Sequence, residues 1–297
     1  MDSNLTFHQI GLQLYSVAEE LARDFPGTLA RLAAIGFQKA EVAGFIAGGR
    51  SASEIRAALE RCSLACPSVH FAMPELLQDL DGKIAFAHEL GAGSIVCAAP
   101  WIRDMSKLNI DPEGGMFAAF FAAIAAMDLD DWRWNADHLS RMGARLRSEG
   151  LELAYHGHNF EFRDWNGVVA YDELLRLTDP DLVKLELDCG WVCVAGRDPL
   201  YYLTNHPERC TMLHARDFEP GFTPTTEMAM TSPELLGPAT PAVVGTGIVD
   251  YPAVLAAARR AGTKHCFIER DPFWKGLPIL DALERDFTNL RERMQQP

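Results

Sequence analysis

The chain lacks a basic excess: Lys and Arg number 27 against 41 Asp and Glu, a formal net charge of −14. A nucleic-acid binder carries a basic footprint, so the charge counts against DNA or RNA as the main partner, a local patch aside. An anionic membrane surface is disfavoured for the same reason. Long apolar runs are also missing. The most apolar stretch, 116–127 (MFAAFFAAIAAM), falls well short of the ~20 residues a bilayer requires. It reads as a buried helix or a lid packed against a partner, which makes homo-oligomerisation an expectation. The opening MDSNLTFHQIGLQLYS has neither the positive leader nor the apolar core of a secretory signal. No two of the seven cysteines have CxxC spacing, and most lie in apolar runs. That pattern excludes a zinc ribbon or a disulfide framework and fits reduced thiols in a cytoplasmic protein. A phosphate loop is absent too. The first apolar run continues into Gln13-Leu14-Tyr15-Ser16-Val17, with no GxGxxG or Walker pattern, which counts against a doubly wound nucleotide-binding sheet. Gly245-Thr246-Gly247 has too few glycines and no lysine to cradle a phosphate.

What is present is an ordinary globular composition, 48% hydrophobic and 23% charged over 297 residues. Eight short β-branched runs recur at 10–15, 39–42, 65–71, 94–98, 152–156, 183–188, 211–214 and 266–269. Amphipathic helical stretches separate them: 19–35, 51–61, 76–90, 129–149, 171–177, 199–205, 251–261 and 278–294. Several end at a glycine (Gly36, Gly91, Gly150, Gly262) suited to the position just past a helix. Alternating strands and helices imply a parallel sheet buried on both faces. Eight units in this length predict a (β/α)8 TIM barrel in the α/β class, one domain over 1–297. Two connections are long, 100–137 after the fourth strand and 218–247 after the seventh. Both are expected at the C-terminal face, as lids or equally as decoration or an oligomer contact.

Ionisable residues gather at the ends of the predicted strands, where barrel enzymes keep their sites. They are Glu41, His70, His156 with His158 and Glu161, Asp188, His214 with Arg216 and Asp217, and Glu269 with Arg270 and Asp271. A His, Asp, His, Glu set is a mixed nitrogen and oxygen donor group. It suits Mn²⁺, Zn²⁺, Co²⁺ or Fe²⁺, and without a cysteine it is unlike a closed structural zinc site. Such an ion is a Lewis acid that polarises a carbonyl and stabilises an enediolate. The base is then a carboxylate beside the ion or a second histidine.

Stretches along the chain carry a resemblance: GLQLYSV at 11–17, IGFQKAEVAGF at 35–45, SVHFAM at 68–73 and GLELAYHGHNFEF at 150–162. They continue with VKLELDCGWVCVAGRDP at 183–199, TMLHARDF at 211–218, GTGIVDYPAVLAAARRAG at 245–262 and FIERD at 267–271. In order and over nearly the whole chain, these resemble the xylose-isomerase-like barrel superfamily of sugar phosphate isomerases and epimerases. The resemblance implies a divalent metal at the barrel mouth, often manganese, with magnesium, cobalt, zinc or iron as alternatives. It places metal ligands at Asp188, His214 and Glu269. Many members have Glu-Asn-His at the end of the fifth strand. Here the register gives His156-Gly157-His158, and the chain resembles the branch with Tyr-His-x-His-x-x-Glu-Phe, Tyr155 through Phe162. Either His156 replaces the carboxylate as fourth ligand, the favoured reading, or Glu161 folds back to supply one. The two-carboxylate proton shuttle is thereby weakened, since only Glu269 keeps its usual place.

Arg216 stands where the seventh-strand motif commonly has Lys. As a fixed cation it is assigned to binding oxygen or carboxylate and not to proton transfer. Glu41 and His70 match positions that bind sugar hydroxyls in relatives, and Trp191 is placed to stack on a sugar face or to pack beneath a lid. Trp101, Trp132 and Trp134 read chiefly as packing of the long insertion. The leading expectation is a metal-dependent sugar isomerase or epimerase acting on a ketose, keto-sugar or keto-cyclitol. His156, Asp188, His214 and Glu269 would hold the ion, and Glu269, His158 or Glu161 would move the proton. The alternative is a lyase in the same pocket, dehydrating a keto-inositol or releasing an aglycone from a 3-keto-glycoside. A non-catalytic sugar-binding subunit is the remaining reading from outside enzymology. A damaged-DNA endonuclease of the same superfamily is disfavoured by the charge.

Overall fold

The computed structural model describes residue 7 and residues 9–108, 115–227, 239–271 and 276–295. Eight strands form a closed barrel: β1 (Ile10–Gln13), β2 (Lys39–Ala43), β3 (Ser68–Phe71), β4 (Ser94–Cys97), β5 (Glu152–His156), β6 (Val183–Asp188), β7 (Cys210–Ala215) and β8 (His265–Ile268). Each strand pairs in parallel with its sequence neighbours, and β1 closes on β8. The barrel is therefore the one the alternation implied.

Parallel strands inside a ring of helices are buried on both faces, which is why these runs are almost continuously apolar. Their period of two still separates the faces. On β6, Leu185 and Leu187 join the apolar layer shared with the helices, while Glu186 and Asp188 belong to the polar groups inside the barrel. Val96, Ala154, Met212 and Phe267, from four strands, form a small apolar cluster of their own, the kind of side-chain layer that fills a barrel interior.

Two helices differ from expectation. The stretch 19–35 is two helices, Ala18–Arg23 and Phe25–Ile35, and 76–90 is likewise replaced by Met73–Gln78 and Leu80–Leu90. Asp24 and Asp79 break them. Each leaves helical geometry and accepts the backbone N–H of the glycine three residues on, Gly27 and Gly82. A carboxylate that satisfies an orphan N–H starts a new helix within an amphipathic pattern that periodicity reads as continuous. The first strand also ends early, because Gln13 accepts the Tyr15 N–H and turns the chain into a 3-10 segment, Leu14–Val17.

After β4, the described part of the connection carries the helix Gly115–Ala126, where Phe120 meets Phe160 edge-on at 6.3 Å. After β7, residues 218–227 and 239–250 are described and contain no helix. Among the described residues no helix is long and apolar enough to cross a membrane. All seven cysteines are free thiols.

Candidate metal centre at the barrel mouth

Strand register assembles the site. Asp188 on β6 lies beside His214 on β7, His156 on β5 beside Glu186 on β6, and Gln13 on β1 beside Glu41 on β2. Residues in register on neighbouring strands point to the same side, so polar side chains from seven strands converge inside the mouth.

The structure brings His156, Asp188, His214 and Glu269 together, with one donor atom of each within 4.8 Å of all the others. All four are buried. His214 Nδ1 lies 2.8 Å from Glu269 Oε2. Asp188 uses Oδ1 to cap the following helix, accepting the Trp191 N–H at 2.8 Å, and turns Oδ2 to Arg216 Nε at 3.0 Å. Arg216 spans the group: its other nitrogens reach Glu269 Oε2 at 2.7 Å and Asp271 Oδ2 at 2.6 Å. Its guanidinium lies 4.9 Å from the centre of the Trp191 ring.

A second set lies against the first. Glu41, His70, Glu186 and His214 also have donor atoms within 4.8 Å of one another, and His214 belongs to both sets. Gln13 Nε2 donates to Glu41 Oε2 at 2.9 Å, and the Ser68 hydroxyl donates to Glu41 Oε1.

Burial and charge set the protonation. Burial opposes the charged ring of His70, but Glu41 and Glu186 outweigh it and push His70 up to about 10. The same competition, with Glu186 and Glu269, holds His214 well above the usual imidazole range. Burial resists ionisation of Glu186 and Glu269, yet neighbouring cations win and hold both well below the usual carboxylate range. Asp188 and Asp271 go the other way, because burial outweighs Arg216. His156 is pushed down to about 3, first by burial and then by His214. It stands as a neutral imidazole whose buried Nδ1, 3.3 Å from Glu186 Oε2, makes no hydrogen bond. A neutral imidazole grouped with Asp188, Glu269 and His214 offers the mixed nitrogen and oxygen donors a divalent ion takes, and such an ion would displace the His214 proton, since ligands must be deprotonated to bind. The residues present fit such an ion.

The remaining candidates are spread around this centre. Glu161 is fully buried but joins neither set. It accepts from the Tyr155 hydroxyl at 3.0 Å and from the His158 backbone N–H at 2.7 Å, with the ring's Nδ1 3.7 Å away. It thus sits behind His158. The His158 ring is partly exposed, stacks on Phe160 at 5.2 Å and meets His156 edge-on at 4.8 Å. Trp191 is buried against Arg216 and Phe218. Glu41 and His70 are turned to the inner set.

The strand-end pattern in the sequence does not single out Glu186, nor Gln13 and Ser68. The signal for Glu186 is the spacing Glu186-x-Asp188 in VKLELD, which in a strand puts both carboxylates on one face. Asp217, just past β7, accepts the backbone N–H groups of Phe218, Gly245, Gly247 and Val249. That fixes the Gly245-Thr246-Gly247 turn beside Arg216. A cavity of about 610 Å³ opens at the opposite end of the barrel, lined by Ser94, Glu152, Lys264 and His265. It lies away from this chemistry.

Fold and site together define a barrel with a His/carboxylate centre at its mouth, and the chain belongs to the xylose isomerase-like TIM barrel family, whose description matches residues 29–291. It is 26% identical over 203 residues to inosose dehydratase 2 of Bacillus cereus, covering 65% of this chain and 63% of that protein. With an inosose dehydratase of another Bacillus cereus strain it shares 24% over 264 residues, 84% of this chain and 83% of that protein. The matched span is thus less than two thirds of the first relative's length. A sugar phosphate isomerase/epimerase from Parabacteroides distasonis has the same fold, with a TM-score of 0.72 at 21% identity over 95% of this chain and 93% of that one.

Proposed function

We propose that the chain is a divalent-metal-dependent carbon–oxygen lyase that enolises a keto-cyclitol or keto-sugar and expels the hydroxyl β to its carbonyl. The observation that carries this reading is the convergence of His156, Asp188, His214 and Glu269 within 4.8 Å at the mouth. These four would hold the ion. Bound there, a divalent cation supplies Lewis acidity toward a carbonyl and the charge to favour its enediolate.

The chain's own groups divide the remaining work. Arg216, fixed by three carboxylates, keeps Asp188 and Glu269 aligned and helps hold Glu269 ionised. His158 is the partly exposed imidazole at the rim; the buried Glu161 holds its backbone N–H and lies 3.7 Å from its Nδ1, which leaves the ring free to carry a proton. We assign it the proton that leaves carbon and returns to the departing hydroxyl, and we assign Glu161 the positioning of His158. His158 is backed by the buried Phe160 and Trp191, which leaves its own ring as the aromatic surface at the rim. With Arg216 occupied by carboxylates and Arg270 paired with Asp286, the centre favours a neutral polyol over a phosphate ester.

Elimination is preferred to isomerisation or epimerisation for a specific reason. His156 occupies the β5 position, so the mouth set has no carboxylate on that strand to move a proton across the opposite face. The curated relatives with dehydratase names point the same way. Isomerase and epimerase chemistry shares the enolisation and differs only in where the proton is returned.

The test is incubation of the Mn²⁺-loaded protein with an inosose in D₂O. Lyase action gives a product lighter by one water. Epimerisation or isomerisation gives an isomer of the starting compound carrying deuterium. Absence of both, with wild-type protein and saturating metal, refutes enolisation of this class of substrate. Chelation is expected to abolish turnover and Mn²⁺ to restore it, while Asp188→Asn stays inactive under both conditions.

A further inference from the structure

Beneath the mouth lies a closed ring of buried groups, Glu41, His70, Glu186 and His214, of which the proposed chemistry uses His214 alone. His70 Nε2 is 2.6 Å from Glu186 Oε2 and 2.9 Å from Glu41 Oε2. His214 Nε2 is 3.1 Å and 2.8 Å from the same two oxygens. The two imidazoles are nearly parallel, 6° apart at 5.5 Å between centres. The members come from β2, β3, β6 and β7, and Glu41, Glu186 and His214 have no exposed surface. His214 therefore has a carboxylate at each nitrogen: Glu269 at Nδ1 on the mouth side, and the Glu41–Glu186 pair at Nε2 inside the barrel.

A histidine that binds a cation through one nitrogen presents the other as an N–H. The acceptor of that N–H fixes the ring's tautomer and orientation and strengthens its donor atom. Two carboxylates side by side repel one another, and His70, bridging them, offsets that repulsion. We infer that Glu186 and Glu41 are positioning residues for His214, locking Nδ1 toward the mouth and raising its affinity for the cation. His70 is the bridge that lets both carboxylates stand there. This rests on the metal reading above. It gives Glu41 and His70 work other than contact with a sugar hydroxyl.

The experiment measures Co²⁺ affinity and stoichiometry on the full chain by competition with a chelator, monitored through the visible absorption of the bound ion. No substrate is needed. Glu186→Gln keeps the shape and removes the charge, and Glu186→Leu removes the acceptor as well. The expected result is one Co²⁺ per chain, with affinity about 10-fold weaker for Gln and approaching 100-fold for Leu. Glu41→Gln, from a different strand, is expected to match Glu186→Gln and guards against a folding defect in one variant. Affinities within twofold of wild type in all three, while Asp188→Asn loses the ion, overturn the inference and leave the metal reading standing. Two Co²⁺ per chain in wild type, one of them lost in Glu186→Gln, also overturn it, because the ring would then be a ligand set. Full Co²⁺ binding by Asp188→Asn overturns the metal reading, and this inference with it.

Discussion

Arg216 offers the sharpest energetic test, because one buried cation serves three buried carboxylates. Its nitrogens lie 3.0, 2.7 and 2.6 Å from Asp188, Glu269 and Asp271, and 5% of its side chain is exposed. Arg216→Met keeps much of the volume and removes the charge. Breaking a buried ion pair by deleting one partner costs about 3–5 kcal/mol, since the other charge is left uncompensated. At roughly 2 °C per kcal/mol for a chain of this size, the apo variant is expected to melt about 6–10 °C below the wild type. Mn²⁺ is expected to narrow that gap. Asp188 and Glu269 are candidate ligands, and without the guanidinium a divalent ion takes over their compensation. The ion stabilises both proteins, so the gap narrows by the ratio of their affinities, about 1.4 kcal/mol for a variant that binds tenfold more tightly. Asp271 still lacks its partner, so the gap does not close fully. Arg216→Lys keeps a charge but not the fork that serves three acceptors, and falls between the two. The assay is differential scanning calorimetry of apo and Mn²⁺-loaded protein. An apo Arg216→Met variant as stable as wild type would show that the carboxylates simply take up protons. A gap that Mn²⁺ leaves unchanged would show that the ion does not bind between Asp188 and Glu269.

Other expectations concern different parts of the barrel. Lys39 is buried beside His265, with its Nζ 3.0 Å from Nδ1, and burial pushes its ammonium down to about 8. The unfolded chain therefore holds this proton more tightly, and the resulting cost at pH 7 is relieved as pH rises from about 8 toward 10.5. Lys39→Met removes that titration, so the stability of wild type relative to Lys39→Met is expected to rise by about 3 kcal/mol across this window. A pH-independent difference in urea unfolding would refute it. Gly190→Ala places a Cβ 2.7 Å from the Arg216 carbonyl oxygen, which the Tyr251 hydroxyl also holds at 2.8 Å. The added methyl is expected to shift the strand end and weaken Mn²⁺ binding, which titration calorimetry would detect. His158→Gln is expected to lower turnover by about 10²–10⁴-fold without changing Mn²⁺ affinity; a matching loss of affinity would instead make His158 a ligand.

The order of strands and the gathering of polar residues at the strand ends were legible because both arise from simple geometry, while the choice of Asp188, His214 and Glu269 among them came from the resemblance and the fourth ligand stayed open between His156 and Glu161. A short, β-branched apolar run between helical stretches reads as a central strand, and in a barrel every such strand delivers its end to one mouth. His156, Asp188 and His214 lie in such strand ends, and Glu269 directly follows β8. The helix breaks at Asp24 and Asp79 were not legible, because a carboxylate three residues before a glycine can sit on an amphipathic surface or cap a new helix, and periodicity does not distinguish them. The inner ring was obscured for another reason. Attention to strand ends singles out Asp188 and passes over Glu186, two residues deeper on the same face, where a lone carboxylate is costly. Only contacts between strands explain its presence: Glu186 is tolerable because His70 arrives from β3 and His214 from β7. Glu41 and His70, read as contacts for substrate, are turned by the same network toward His214. A buried charge in a barrel strand thus points to partners on other strands, and finding them is a question of register as much as of motif.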